Sequence, residues 1–371
     1  MKKVTVELGE RSYPIEIGTN MCFSDSFADR IGKITGNESV LIVTDSFVKP
    51  SAEKLAALLK RKVAVKGIHV FPEGEQSKNF ATVERICRKA AKLHLDRKSF
   101  FLAVGGGVTG DLTGFAAAIY MRGARFIQIP TSLLAMADSS VGGKTAADLP
   151  EGKNLIGAFL QPQAVFIDPA FLDTIKSFNI SLGFAEILKI AATFDADFFG
   201  LLEKNAFTLS GRKDPALFEE VLRRACRLKA DVVAKDEKES SLRAMLNFGH
   251  TFGHALEKLD GFDRMYHGFG VSCGMYMACR LAEELGLQEH RDTVRLANAL
   301  YKYNLPVYFP ARFGAKDVYK AMLSDKKAAG GKLKFILPCG IGKGKIVEGI
   351  PKETVLAAME KARSGYEKIL P

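Results

Sequence analysis

The chain has 371 residues, 47% hydrophobic and 26% charged, and 53 Lys+Arg against 42 Asp+Glu give a formal net charge of +11. That balance excludes disordered and fibrous classes, and the length suggests two domains. Six scattered cysteines, Cys22, Cys87, Cys226, Cys273, Cys279 and Cys339, form no CxxC pair, which excludes a disulfide framework and a thiolate zinc site.

Residues 1–18 alternate apolar and polar side chains at strand period and carry no long apolar run of the kind a signal peptide or membrane span needs. A soluble, cytoplasmic protein is expected. Short β-branched runs then alternate with amphipathic stretches: a strand over 39–43, a helix over 52–60, an extended run over 67–71, a helix over 81–93, and strands over 100–104 and 126–129. Such alternation predicts a mostly parallel sheet covered on both faces. Beyond residue 176 the periodicity turns helical, over 216–234, 242–258, 271–285 and 354–362, with one extended run over 332–337. The expected organisation is an α/β domain over 1–175 and a mainly helical domain over 176–371. No repeat, heptad run or low-complexity tract interrupts it.

The apolar strand before Gly105-Gly106-Gly107 runs into a glycine turn and then a helix that opens with Val108-Thr109-Gly110-Asp111. Residues without side chains let backbone N–H groups and a helix N-terminus come close to a phosphate. The stretch matches GxGxxG in form, but not in its place in the chain nor in the acid that should follow it. Asp45, at the end of its own strand, offers a ribose-binding carboxylate instead, and a turn-forming aspartate is the equal alternative. Glu75 and Lys78 offer either another polar contact or a solvated turn.

In Asp138-Ser139-Ser140-Val141-Gly142-Gly143-Lys144-Thr145 two glycines precede a lysine and a hydroxyl, a composition suited to an anion. Walker A spacing is absent. Gly152-Lys153-Asn154 repeats the theme.

Three of the six histidines, His250, His254 and His267, cluster in one short stretch. His250 and His254 stand at i and i+4 and could both ligate zinc; alternatively one of them joins His267 and a distant carboxylate such as Glu186. Spacing alone does not choose. Lys189, Lys229, Arg243 and Asn247 surround the cluster, the last two on the helix expected to carry His250. So many cations suit a multiply charged ligand, such as one with phosphate and carboxylate. No nucleic-acid module is visible, so the net charge points to a basic surface or an anionic small molecule.

The blocks from Gly105 to Tyr120 with Arg122-Gly123, Gln128 to Ala135, Asp138 to Thr145, Gly152 to Gly157 and Leu242 to His254 resemble, in this order and spacing, the 3-dehydroquinate synthase family. The resemblance covers nearly the whole chain. It implies an N-terminal Rossmann-like NAD-binding domain, a mainly α-helical C-terminal metal-binding domain, and a homodimer. It also implies that Glu186, His250 and His267 hold a divalent metal, Zn or Co, with His254 near the substrate phosphate. Lys144, Asn154 and Asn247 match further phosphate-side positions, and Arg122 one that reaches a neighbouring subunit's site. Lys229 and Arg243 match a carboxylate clamp, and Asp138, Lys153, Lys189 and Lys326 other active-site positions. Asp45, Glu75, Lys78, Gly106, Gly107, Val108, Asp111, Thr131, Ser132, Lys144, Lys153 and Thr174 fall where the family holds NAD.

The implied reaction converts 3-deoxy-arabino-heptulosonate 7-phosphate to 3-dehydroquinate and phosphate, in the shikimate pathway to aromatic amino acids. It proceeds by transient oxidation by NAD, phosphate elimination, re-reduction and intramolecular aldol closure. The implied partner is a sugar acid phosphate, with no nucleic acid or membrane. The chain departs from the family's usual pattern at Phe178-Asn179 (usually Arg-Glu), Asp148-Leu149 (usually Asn-His), Thr131-Ser132 (commonly Thr-Thr) and Phe47 (often polar). The alternatives are a carboxylate-free cyclase such as a 2-deoxy-scyllo-inosose synthase, against which Lys229 and Arg243 count, and a polyol dehydrogenase of the glycerol dehydrogenase type. The Gly143-Lys144 and Lys153-Asn154 segments count against the latter.

Overall fold

The structure, a computed structural model, describes residues 1–261, 265–308, 310–327 and 333–364. Contacts divide the chain into two units, Met1–Ile175 with Pro215–Ala234, and Lys176–Asp214 with Lys235–Pro371. The sequence reading assigned 176–371 to one helical domain; by contacts, residues 215–234 group with the first unit instead.

The first unit runs through β1 (Lys2–Val6), β2 (Tyr13–Ile17), α1 (Asp25–Thr35), β3 (Ser39–Asp45), α2 (Lys49–Leu59), β4 (Ala64–Phe71), α3 (Phe80–Lys92) and β5 (Phe100–Gly105). It continues with α4 (Gly107–Ile119), β6 (Arg125–Pro130), a hairpin of β7 (Lys144–Leu149) and β8 (Gly152–Phe159), and β9 (Val165–Ile167). Seven strands make one sheet in the order β1-β2-β9-β6-β5-β3-β4, parallel throughout except where β1 meets β2. Every residue of β5 is buried, as is the run from Val40 to Thr44 in β3, whereas β2 alternates. Unbroken apolar runs are what a strand covered on both faces requires. One face is closed by α4, whose Leu112, Phe115 and Ala116 pack with Leu41, Phe101 and Phe126.

Strand order fixes where a ligand can enter. From the adjacent pair β3 and β5 the sheet grows outward both ways, to β4 on one side and through β6 to β9 on the other. At such a switch point the connections leave in opposite directions and open a crevice beyond the strands' carboxyl ends. Asp45 ends β3 and Gly105 ends β5.

The second unit is mainly helical. It holds α5 (Ser177–Phe194), α6 (Ala196–Lys204) and α7 (Ala206–Ser210); α8 (Pro215–Lys235) follows, nearly all of it grouped with the first unit. The chain then returns with α9 (His250–Leu259), α10 (His267–Glu284), α11 (His290–Lys302), α12 (Ala315–Lys327), an antiparallel hairpin of β10 (Lys334–Pro338) and β11 (Gly344–Glu348), and α13 (Lys352–Ser364). The extended run expected from Lys332 appears as β10; Lys332 itself lies outside the described residues.

One expectation is corrected. Residues 242–258 do not form a single helix: Leu242–Asn247 is a short 3-10 turn, Gly249 turns left-handed at φ 81°, and α9 starts at His250. A Cβ on Gly249 would stand 2.7 Å from the Val271 carbonyl oxygen and 2.8 Å from Met275, so the chain passes α10 too closely for a side chain. His250 therefore opens its helix, and Arg243 and Asn247 sit on the turn before it. Among the described residues no helix is long and apolar enough to cross a membrane, and all six cysteines are free.

Candidate active site

α5 is an apolar helix that buries two charges one turn apart, Glu186 and Lys189, with side-chain exposures of 1% and 3%. Lys189 Nζ pairs with the Glu186 carboxylate, yet neither carboxylate oxygen has a hydrogen-bond partner. Buried carboxylates are ordinarily hydrogen-bonded as well as paired, because an ion pair alone compensates only part of the desolvation. What faces this one is imidazole: Nε2 of His267 at 3.3 Å and Nε2 of His250 at 3.7 Å from Oε1. Glu186, His250 and His267 offer three ligand atoms within 4.8 Å of one another.

Glycines bring these elements together. A Cβ on Gly253 would meet the Gly270 backbone at 2.8 Å, and one on Gly268 the Leu182 carbonyl oxygen at 2.6 Å. α10 thus presses against both α9 and α5, and His267 at its first residue reaches Glu186. The rings of His250 and His267 lie 5.3 Å apart, and His254, exposed one turn along α9, is 5.1 Å from His250.

The two inward imidazoles are held differently. Nδ1 of His250 stands 3.2 Å from the Phe248 carbonyl oxygen; a carbonyl only accepts, so Nδ1 carries the hydrogen and Nε2 keeps its lone pair. Burial and then Lys189 hold its pKa well below the ordinary value. Nδ1 of His267 lies 3.0 Å from Glu257 Oε1, so this ring has a carboxylate at each nitrogen. Burial works against its charged form, but Glu186 and Glu257 outweigh it and raise the pKa to about 10. Burial also works against ionised Glu186, and Lys189 followed by the two histidines holds it well below the carboxylate range.

Arg243 is 2% exposed and donates from Nη1 to the Glu237 carbonyl at 2.5 Å. Its loop is built on Asp236, whose carboxylate accepts from the backbone N–H of Ser240, Ser241 and Arg243 at 2.7 to 2.9 Å and from both serine hydroxyls. Burial opposes that charge, and the three N–H groups more than offset it, lowering the pKa. Asn247 donates to Glu239 Oε1 at 2.7 Å. The sequence reading missed Asp236, Glu239 and Glu257. The first two sit in a charge run that looks like a solvated surface, while Glu257, at i+7 from His250 and i+3 from His254, was legible from helical spacing. Lys326 falls in α12, with its side chain outside the described residues.

In the first unit the expected cofactor residues fall into two connected groups. At the switch point, Thr109 Oγ1 donates to Asp45 Oδ2 at 3.2 Å and Thr131 N donates to the Gly105 carbonyl at 2.9 Å. A Cβ on Gly106 would stand 3.4 Å from Ser132 Oγ, and one on Gly107 3.1 Å from Ser139 Oγ. Gly106 caps α4, Gly107 and Val108 open it, and Val108 packs against the core. The second group centres on Lys78, 6% exposed, whose Nζ bonds Asp111 Oδ2 at 2.6 Å and Asn154 Oδ1 at 2.5 Å. Burial works against its charge, and Asp111 and Glu75 keep its pKa raised. Lys153 pairs with Glu75 at 3.7 Å. Asp148 accepts from Asn154 N at 2.7 Å, shaping a hairpin tip in which Asn154 is left-handed at φ 57°.

Lys229, on α8, bonds Asp138 through Oδ1 at 2.6 Å and the carbonyl oxygen at 2.7 Å. Lys144 is exposed at the start of β7. Arg122 is presented, exposed, on a turn where Met121 and Arg122 are both left-handed, at φ 48° and 65°. Thr174 is exposed, and its hydroxyl donates to the Phe171 carbonyl at 3.1 Å. Of the family departures, Phe47 is 51% exposed, and Phe178 stacks edge-on against Tyr266 and Phe269 at 4.8 and 5.2 Å.

A family model described as 3-dehydroquinate synthase N-terminal matches residues 68–181, and one described as 3-dehydroquinate synthase C-terminal matches residues 183–328. Among solved structures, the chain is similar to ValA, the 2-epi-5-epi-valiolone synthase of Streptomyces hygroscopicus subsp. jinggangensis 5008, with NAD+ and Zn2+ bound. Identity is 30% and the TM-score 0.86, over 96% of this chain and 98% of that one. A 2-deoxy-scyllo-inosose synthase complexed with carbaglucose-6-phosphate, NAD+ and Co2+ shares the fold at 24% identity and a TM-score of 0.85, over 97% and 100% of the two chains. Glycerol dehydrogenase from Schizosaccharomyces pombe shares it more loosely, at 16% identity and a TM-score of 0.66, over 96% and 90%.

Proposed function

Because the chain belongs to the 3-dehydroquinate synthase family of sugar phosphate cyclases, we propose that it is an NAD- and metal-dependent cyclase that turns 3-deoxy-arabino-heptulosonate 7-phosphate into 3-dehydroquinate and phosphate.

The observation that carries the metal is the donor set. One carboxylate and two imidazoles, with the Glu186 oxygens lacking hydrogen bonds and His250 Nε2 keeping its lone pair, suit a zinc-like cation that retains open positions. At His267 the cation would replace the Nε2 proton. NAD suits the switch point, where Gly106 and Gly107 stand at the N-terminus of α4 with no side chain of their own and Asp45 offers a ribose-binding acid.

When bound, NAD accepts and later returns a hydride while the cation polarises the oxygen at the carbon being oxidised. The protein's own groups position and neutralise. Lys144, Lys153, Asn154, Asn247 and His254 take the phosphate. Asn154 Oδ1 is occupied by Lys78, which leaves its amide nitrogen to donate. Glu239 in the same way leaves the Asn247 carbonyl to accept, or its second N–H to donate. Arg243, fixed by Asp236, takes the substrate carboxylate together with Lys229, whose charge Asp138 meanwhile balances. The substrate's phosphate, held beside the carbon it will leave, accepts the proton made acidic by the neighbouring ketone, so proximity and electrostatics replace a dedicated protein base.

Identity of 30% to a cyclase of another name, a valiolone synthase, supports a second reading in which the substrate is a different sugar phosphate, such as one without the carboxylate. The two are separated by phosphate release from the seven-carbon acid and from a seven-carbon ketose phosphate without the carboxylate, in the parent and in Arg243→Met. The proposal expects release from the acid alone and a KM for it raised on the order of 100-fold by the substitution, the worth of one charge-assisted pair. Faster release from the carboxylate-free sugar would favour the second reading.

A further inference from the structure

We propose that Glu257 is a positioning residue for the metal centre: it fixes the proton of His267 on Nδ1, turns Nε2 toward Glu186, and supplies a second negative charge without occupying a coordination position. The inference rests on the metal-site reading above and deepens it.

Glu257 is 2% exposed, on the helix that opens with His250, and its Oε1 lies 3.0 Å from His267 Nδ1. Room for the carboxylate comes from α10: a Cβ on Gly270 would stand 3.1 Å from Oε1, and Gly270 is also where α10 passes against Gly253. The same helix contact that brings His267 to Glu186 therefore brings it to Glu257. A carboxylate only accepts, so Nδ1 donates and the lone pair of the metal-binding tautomer falls on Nε2. His250 obtains the same tautomer from the neutral Phe248 carbonyl.

The difference in charge has a reason. A divalent cation bound by Glu186 and two neutral imidazoles keeps one net positive charge, and Lys189 at 3% side-chain exposure adds another. A second carboxylate at Glu257 reduces that excess in a buried setting, where uncompensated charge is costly. Placed behind His267 it does so while leaving the remaining coordination positions to the substrate oxygen.

The test measures zinc affinity in the full-length protein without substrate, by competition with a chromogenic chelator, for the parent, Glu257→Gln, Glu257→Ala and Glu186→Ala, with NAD affinity measured in parallel. Glu257→Gln keeps the volume and an accepting oxygen and loses the charge; it remains informative if the alanine variant does not fold. The expected result is a loss of zinc affinity on the order of 10- to 100-fold for Glu257→Ala, a smaller loss for Glu257→Gln, a shifted visible spectrum of the cobalt form in both, and unchanged NAD affinity. Parental zinc affinity in both Glu257 variants, beside a loss in Glu186→Ala, overturns the inference alone. Parental zinc affinity in Glu186→Ala overturns the metal-site reading and the inference with it. An equal fall in NAD affinity makes Glu257 a folding residue and also overturns it.

Discussion

The two units pair their buried charges differently: the second adds two imidazoles to its ion pair. In the first, the buried cations around the expected cofactor site are matched by acids, Lys78 by Asp111 and Lys229 by Asp138. In the second, Glu186 is sealed from water with neither oxygen hydrogen-bonded, facing two imidazoles and a lysine. A matched pair positions a loop and is tolerable as structure. A buried carboxylate met by one lysine and two imidazoles, and by no hydrogen bond, contributes little to stability, which is the pattern of a binding site more than of a structural pair.

The comparison breaks most visibly at Glu186. Glu186→Ala is expected to lose zinc and at least on the order of 1,000-fold in phosphate release, the several kcal/mol that Lewis-acid stabilisation supplies, with little change in NAD affinity. Residual metal-dependent turnover near the parent's would show that the cluster is not the centre. The opposite signature is expected at Lys78. Lys78→Met strands Asp111 and should destabilise the protein by about 3 kcal/mol, as removal of one partner of a buried pair does; an unchanged denaturation midpoint would show that the pair contributes nothing.

Smaller effects sharpen the distinction. Asp45→Ala should weaken NAD binding about tenfold, the worth of one or two ribose hydrogen bonds, and leave zinc affinity alone; parental NAD affinity would mean that Asp45 is the turn-former its bond from Val48 N at 2.9 Å also allows. The least effect is expected at Glu220, where hydrogen bonds from Arg223 and, despite partial burial, from Lys2 lower the pKa to about 2. A depressed acid stabilises fully above its unfolded value of about 4.3 and loses that contribution as pH falls toward 2. The parent should therefore exceed Glu220→Gln in stability, by ~0.5 kcal/mol after solvent screening, at neutral pH, and the gap should close between about pH 4 and 2 in thermal denaturation. A gap that widens on acidification would contradict the assignment.

Elements whose cause is local were legible in the sequence. The apolar runs of β3 and β5 and the glycine turn between β5 and α4 could be read residue by residue, since periodicity and the lack of a side chain act on the spot. The break at Gly249 could not, because what forbids a side chain there is the backbone of α10, more than twenty residues along the chain. Histidine spacing left two metal sites open; family resemblance singled out Glu186 with His250 and His267, and the structure brings these three together. Asp236 is the harder case. Its charge run looks like surface, and only the folded loop shows five donors converging on one carboxylate and holding Arg243 in place.

The most direct test of the account follows phosphate release from 3-deoxy-arabino-heptulosonate 7-phosphate in the presence of NAD, before and after chelation and after zinc is restored, while absorbance reports NADH. The account predicts release that chelation abolishes and zinc restores, with no accumulation of NADH because each hydride taken is returned. Release indifferent to chelation, or NADH rising in step with product, would contradict it.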